Sequence, residues 1–257
     1  MSSGTTFQQS DQVSREQARV KALRSIDTTL PTDRHPERVW YTSYGSNMHL
    51  DRLAAYIQGG RPPGAAREYP GCRNPAMPAS SIPVELTGAM YFATESPVWG
   101  GGRAFYDPQA IGRTLARAHL VTTDQFADIA AQEMYRTPDL ALDLEGVLTE
   151  GRAVLGEGRY ETLVCAGQVD GLPLLTFTAP WGVNDVQWVP PSAAYVRFLA
   201  AGLLSAGTWD LEAVATYVAA CPGAQGHWTA QGIVALLGED VAAPKGHQLF
   251  SAGGDDS

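Results

Sequence analysis

The stretch Trp40–Leu53, "WYTSYGSNMHLDRL", changes character in its middle. Its first half is aromatic and β-branched, which predicts a strand over residues 39–44. After Asn47 the apolar residues fall at Leu50, Leu53, Ala54 and Ile57, one face of a helix, and Gly59-Gly60 stops it. Asn47 is the expected N-cap, with Asp51 in the favourable first turn. The join, Tyr44-Gly45-Ser46-Asn47, is a corner where a strand ends and a helix starts. Successive N–H groups at such a corner can hold a carboxylate or the oxyanion of an acyl-transfer intermediate. The same spacing is equally that of an ordinary strand–helix turn.

Around this corner the chain divides by composition. Residues 1–37 are polar, with a weak helical signal from Arg15 to Ile26, and are expected to form a flexible arm or a helix laid on the body or on a neighbouring subunit. Residues 61–83 carry six prolines and read as one long irregular loop of the functional or mobile kind. "VELTGAMYFAT" (84–94) is extended, "PVWGGGRAFYDP" (97–108) leads three glycines into a short strand, and "GRTLARAHLV" (112–121) is a further strand. "LVCAGQVDGLPLLTF" is a hairpin turning at Asp170-Gly171. The period then changes: "SAAYVRFLAAGLLSAG", "DLEAVATYVAAC" and "HWTAQGIVALLG" read as three helices. The fold class expected is α+β, a small mixed β-barrel over 38–190 with flanking helices. A C-terminal helical extension, 191–245, packs on it, because Pro190-Pro191 is too short for a free linker. A disordered tail, 246–257, follows.

Composition narrows the function. The net charge is −9 and 16 of the 18 basic residues are Arg, which argues against nucleic acid or an anionic membrane surface as partner. No apolar run reaches transmembrane length, and the N-terminus lacks a secretory pattern. Cys72, Cys165 and Cys221 are odd in number and far apart, which suits reduced thiols in a cytoplasmic protein. Neither they nor the scattered histidines have zinc spacing, so no metal and no cofactor is expected.

Two further places could carry chemistry. "TTDQFADIAAQEMYR" opens with a capping box, Thr122-x-x-Gln125, and its apolar stripe Phe126, Ile129, Ala130 continues to Glu133. The pattern aims a carboxylate at the interior, where burial would raise its pKa and suit it to general acid/base work. A frayed helix end with Met134 in the core is the other reading. In "WGGGR" (99–103) the glycines allow close backbone approach to a ligand, and Arg103 can pair with a substrate carboxylate; a simple bend fits as well. Ser46 lies outside any G-x-S-x-G, the cysteines lack a catalytic signature, and P-loop and G-x-G-x-x-G patterns are absent.

Taken in order, "YGSNM" after the first strand, the glycine run entering a strand, and a strand followed by a helix ending in Glu resemble the gamma-glutamylcyclotransferase-like family, over roughly Val39 to Ala179. The resemblance implies a small closed β-barrel. It implies an amide loop at Tyr44, Gly45, Ser46 and Asn47, a catalytic Glu133, and a glycine-rich strand entry at Gly101 and Gly102. The reaction implied is release of an amine from a gamma-glutamyl amide with cyclisation to 5-oxoproline. The chain departs from the family in having Met134 where glycine usually follows the glutamate, and Phe177 where a Tyr is common. Arg103, the proline-rich loop and the C-terminal helices are extra. Three functions follow: such an enzyme, acting alone or as a homo-oligomer on a small gamma-glutamyl molecule; a non-catalytic binder of a small anion or a protein partner; or an enzyme for a different amide or lactam, with Arg103 and the proline-rich loop resetting specificity.

Overall fold

A computed structural model describes residues 22–61, 68–138 and 142–242. The strands are β1 (Arg38–Ser43), β2 (Ser80–Thr87), β3 (Ala89–Ser96), β4 (Gly101–Asp107), β5 (Arg113–Thr122), β6 (Arg152–Val154), β7 (Thr162–Val169) and β8 (Leu172–Thr178). The helices are α1 (Leu50–Gln58), α2 (Thr123–Glu133), α3 (Glu145–Glu150), α4 (Ala193–Ser205), α5 (Leu211–Ala220) and α6 (Ala230–Ala242). The fold is α+β, with helices on both faces of a mixed sheet ordered β2-β5-β1-β8-β7-β6. Strand β1 runs antiparallel to β5, with Trp40 opposite Leu120, and parallel to β8, with Trp40 opposite Leu174.

The two faces explain the unbroken apolar look of β1. Successive side chains on a strand point to opposite faces. Val39 and Tyr41 enter a core with Leu53 and Ile57 of α1 and Phe126 and Ile129 of α2. Trp40 enters another core with Val196, Leu199 and Leu203 of α4 and Val214 and Val218 of α5. The C-terminal helices therefore share a hydrophobic core with the sheet. A strand covered on both sides reads as continuous β-former rather than as alternation.

The expected closed barrel is not found: the sheet is open, and β3 and β4 form a separate two-stranded ribbon. The run 84–94, expected as one extended segment, is cut at Gly88, whose φ is +113° and where a Cβ would meet the Asp107 carbonyl at 2.5 Å. That bend hands the chain from the sheet to the ribbon. The ribbon's outer backbone groups are taken by loops instead of by a neighbouring strand. Phe92 N–H donates to the Pro222 carbonyl, Val189 N–H to the Phe92 carbonyl and Gly102 N–H to the Pro190 carbonyl. Toward β8 the ribbon is hydrogen-bonded through the Thr178 side chain, whose hydroxyl accepts from Tyr106 N–H at 3.0 Å and donates to the Tyr106 carbonyl at 2.7 Å.

Of the expected N-terminal arm, residues 1–21 lie outside the described residues, as does the tail 246–257. Residues 22–37 run along the body: Asp27 pairs with Gln168 of β7, and Thr123 N–H donates to the Glu37 carbonyl. Among the described residues no helix is long and apolar enough to cross a membrane.

Candidate functional site

The corner after β1 is a single 3-10 turn, Ser46–Met48, and α1 starts only at Leu50 with His49 as its N-cap. The expected cap role of Asn47 is thus corrected. Its side chain turns inward instead, where Nδ2 donates to the Tyr41 hydroxyl at 3.1 Å and to Glu133 Oε1 at 3.2 Å. Asn47 is 3% exposed, and its Oδ1 is buried without a partner. Gly45 has φ −109°, a value any residue adopts, so the turn itself does not require glycine. The corner's carbonyls close the turn, Gly45 accepting from Met48 N–H and Ser46 from His49 N–H. The first N–H groups of a helical turn have no partner within it.

Glu133 is the last residue of α2. The helix begins with the expected capping box: Gln125 N–H donates to Thr122 Oγ1 at 3.1 Å, and Thr122 N–H to Gln125 Oε1 at 3.0 Å. Phe126, Ile129 and Ala130 are fully buried, and Glu133, next on their stripe, is half-buried. Met134 caps the helix in an ordinary backbone conformation, and the left-handed residue is Tyr135, φ +60°.

Corner and helix end meet in a cavity of about 110 Å³. Tyr44, Gly45, Ser46, Asn47, Arg103 and Glu133 all line it. Gly101 and Gly102 do not. A Cβ on Gly102 would stand 1.9 Å from the Val189 carbonyl oxygen, and one on Gly101 2.8 Å from that of Pro190. The glycine run, expected to bind substrate, seats the segment that leads into α4 and stands outside the cavity lining. Tyr44 lines the cavity, but its hydroxyl donates to the Phe177 carbonyl at 2.9 Å and ties β1 to β8.

Sequence reading missed much of the wall. Arg52 is 6% exposed, and its guanidinium lies 5.8, 5.3 and 5.6 Å from the ring centres of Tyr56, Tyr69 and Trp99. Its Nη2 donates to the Tyr69 hydroxyl at 2.8 Å. The i, i+4 spacing of Arg52 and Tyr56 on α1 was the available signal. Tyr69 comes from the proline-rich loop, which is anchored: Arg73 N–H and Nε donate to the fully buried Asp128 of α2 at 2.9 and 3.0 Å. Arg103 is 7% exposed and donates through Nη2 to the Glu95 carbonyl. The Nε atoms of both arginines are buried without a partner.

Among the described residues that line the cavity, Glu133 is the only carboxylate, Arg52 and Arg103 are the only cations, and none is His or Cys. Two guanidinium groups against one carboxyl leave the cavity lining formally positive in a chain of net charge −9. Burial, helped by the Glu133 charge, pushes the Tyr41 phenol well above its ordinary value; Tyr56 is raised in the same way, and Tyr160 by burial and then by the neighbouring Tyr195 and Tyr44. These phenols stay protonated and act as hydrogen-bond groups, not bases. Behind the corner, burial and then the Arg117 guanidinium lower the His119 pKa to about 3, against a weaker opposing contribution from the Asn47 backbone. The imidazole is neutral, with Nδ1 2.8 Å from Ser81 Oγ. Among the described residues no group of three His, Cys, Asp or Glu side chains could hold a metal ion.

No family model matches the chain. Over 198 residues it is 30% identical to histone deacetylase 5 of Arabidopsis thaliana; the match takes in 70% of this chain but only 30% of that protein's length. Among solved structures, one is a human protein described as uncharacterized, with TM-score 0.43, 17% identity, and coverage of 79% of this chain and 99% of that one. Another is a gamma-glutamyl cyclotransferase, with TM-score 0.40, 13% identity and the same coverage.

Proposed function

We propose that the chain is a gamma-glutamylcyclotransferase-type enzyme, releasing an amine from a small gamma-glutamyl amide as the glutamyl group closes to 5-oxoproline. The observation that carries this reading is the placement of Glu133. The cavity's only carboxylate among the described lining residues is held by the Asn47 side chain beside the Gly45–Asn47 corner, with no His or Cys in the lining. A cyclisation needs no protein nucleophile, because the substrate's own α-amine attacks its γ-carbonyl. Holding the glutamyl chain folded for that attack is worth on the order of 7–11 kcal/mol.

The proton traffic assigns the roles. The α-ammonium docks between Glu133 and Asn47 Oδ1, which is a buried acceptor. It loses one proton to bulk water, and the freed amine forms the new C–N bond. Glu133 takes the second proton from that nitrogen and delivers it to the departing nitrogen as the amide C–N bond breaks. Corner N–H groups stabilise the charge on the γ-oxygen between these steps. Arg103 pairs with the substrate's α-carboxylate.

The test is incubation of the protein with a panel of gamma-glutamyl amides, assaying 5-oxoproline and free amine together. Stoichiometric release of both from at least one member is expected. Saturable binding without release from any of them would make the protein a binder of gamma-glutamyl compounds.

A further inference from the structure

Helix α4 adds to this pocket a group that neither the corner nor Glu133 supplies. Tyr195 is 3% exposed and lines the cavity. Its ring is fixed, stacked on Trp99 with centroids 5.3 Å apart and edge-on to Phe92 at 6.2 Å. The Ala104 N–H donates to its hydroxyl oxygen at 3.3 Å. No other hydrogen bond to this hydroxyl is found among the described residues. A phenol has one proton to give, and the oxygen that accepts from Ala104 directs that proton elsewhere. The corner is in reach: a Cβ on Gly45 would stand 3.5 Å from this hydroxyl. Glycine at 45, which the backbone angle does not demand, keeps open the gap between corner and phenol. Burial pushes the phenol up to about 12, so it is a donor at neutral pH, and the charges of Glu133, Arg52 and Arg103 all act on it.

We infer that Tyr195 is a further catalytic residue, donating its O–H to the substrate's γ-carbonyl oxygen opposite the Gly45–Asn47 amides. The inference rests on the cyclotransferase reading. As the α-nitrogen bonds to the γ-carbon, the carbonyl π pair moves onto oxygen, where the phenol hydrogen-bonds it without transferring its proton. The pair returns to re-form C=O when the C–N bond to the leaving amine breaks, that amine taking its proton from Glu133. A side chain from the C-terminal helices thereby completes a site otherwise built on the sheet, the β3–β4 ribbon, the proline-rich loop, α1 and α2.

The variant is Tyr195→Phe, which removes one oxygen and keeps the stacked ring. Its kcat should fall about 100-fold, the weight of one oxyanion donor, while KM stays within about threefold. A kcat within twofold of wild type overturns the inference. A second readout is independent of turnover: the infrared carbonyl stretch of gamma-glutamyl-glycine, ¹³C-labelled at the γ-carbon and bound to Glu133→Gln protein. Adding Tyr195→Phe should raise its frequency by removing a donor; an unchanged band, or failure of the labelled ligand to bind at millimolar concentration, sinks the inference. If the wild type cyclises nothing in the panel, the cyclotransferase reading falls, while the infrared shift still reports whether Tyr195 touches the carbonyl.

Discussion

Two glycine-bearing stretches, Gly45 in the corner and Gly100–Gly102 before β4, look alike in sequence and do different work. At the corner, glycine has an ordinary backbone angle and no neighbour closer than 3.5 Å to an added Cβ, and it borders the cavity. In the run, Gly101 has φ +143° and Gly102 has the Val189 carbonyl where its Cβ would be. One glycine borders an open cavity; the others leave room for the chain's own backbone, and only the surroundings tell which.

The comparison is broken most severely at Gly102. Gly102→Ala should force β4 away from residues 189–191 and cost the Gly102–Pro190 hydrogen bond. A loss of at least about 3 kcal/mol is expected, from overpacking plus that bond. Urea unfolding checks it, and a variant as stable as wild type would show that the segment yields freely. Gly45→Val should do the reverse. Its melting midpoint should stay within about 4 °C of wild type, while 5-oxoproline release falls about 100-fold or more, because the new methyls fill the gap below Tyr195. Near-normal release from a folded Gly45→Val protein would reduce the corner to a turn.

A smaller effect comes from beneath the corner. His119 is fully buried with a pKa lowered to about 3, below its unfolded value of 6.5. Between those values the unfolded chain binds the extra proton, so the stability that the neutral imidazole contributes is intact above pH 6.5 and drains as pH falls toward 3. At pH 5 the loss is about 2 kcal/mol. Urea unfolding at pH 7 and pH 5 should therefore show wild type losing about 2 kcal/mol more than His119→Asn. Equal losses would mean that the ring is solvated or charged in the fold.

What the sequence made legible was local. The strand at 38–43, the capping box at Thr122–Gln125, the Asp170-Gly171 turn and the three C-terminal helices each have their signal within a few residues. The inward aim of Glu133 followed from a helical period, which is also local, but its meeting with the corner depends on how β1 and α2 pack and came only with the family resemblance. The open sheet was not legible, because closure depends on whether β3 and β4 find strands or loops at their edges, and residues 189–190 and 222 supply the answer from far along the chain. The aromatic and arginine wall was hidden for the same reason. Arg52, Tyr69, Tyr160 and Tyr195 come from four separate segments, and each alone reads as an ordinary amphipathic or core residue.

The central claim is that the carboxyl beside Asn47 moves protons in a cyclisation. Glutamine at 133 keeps the shape and the capacity to hydrogen-bond but cannot shuttle a proton. The direct measurement is single-turnover formation of 5-oxoproline by wild type and Glu133→Gln, beside calorimetric binding of the same gamma-glutamyl amide to both. The account predicts binding within a few-fold and turnover lowered on the order of 10²–10⁴-fold. A Glu133→Gln protein that binds and cyclises like wild type would contradict it.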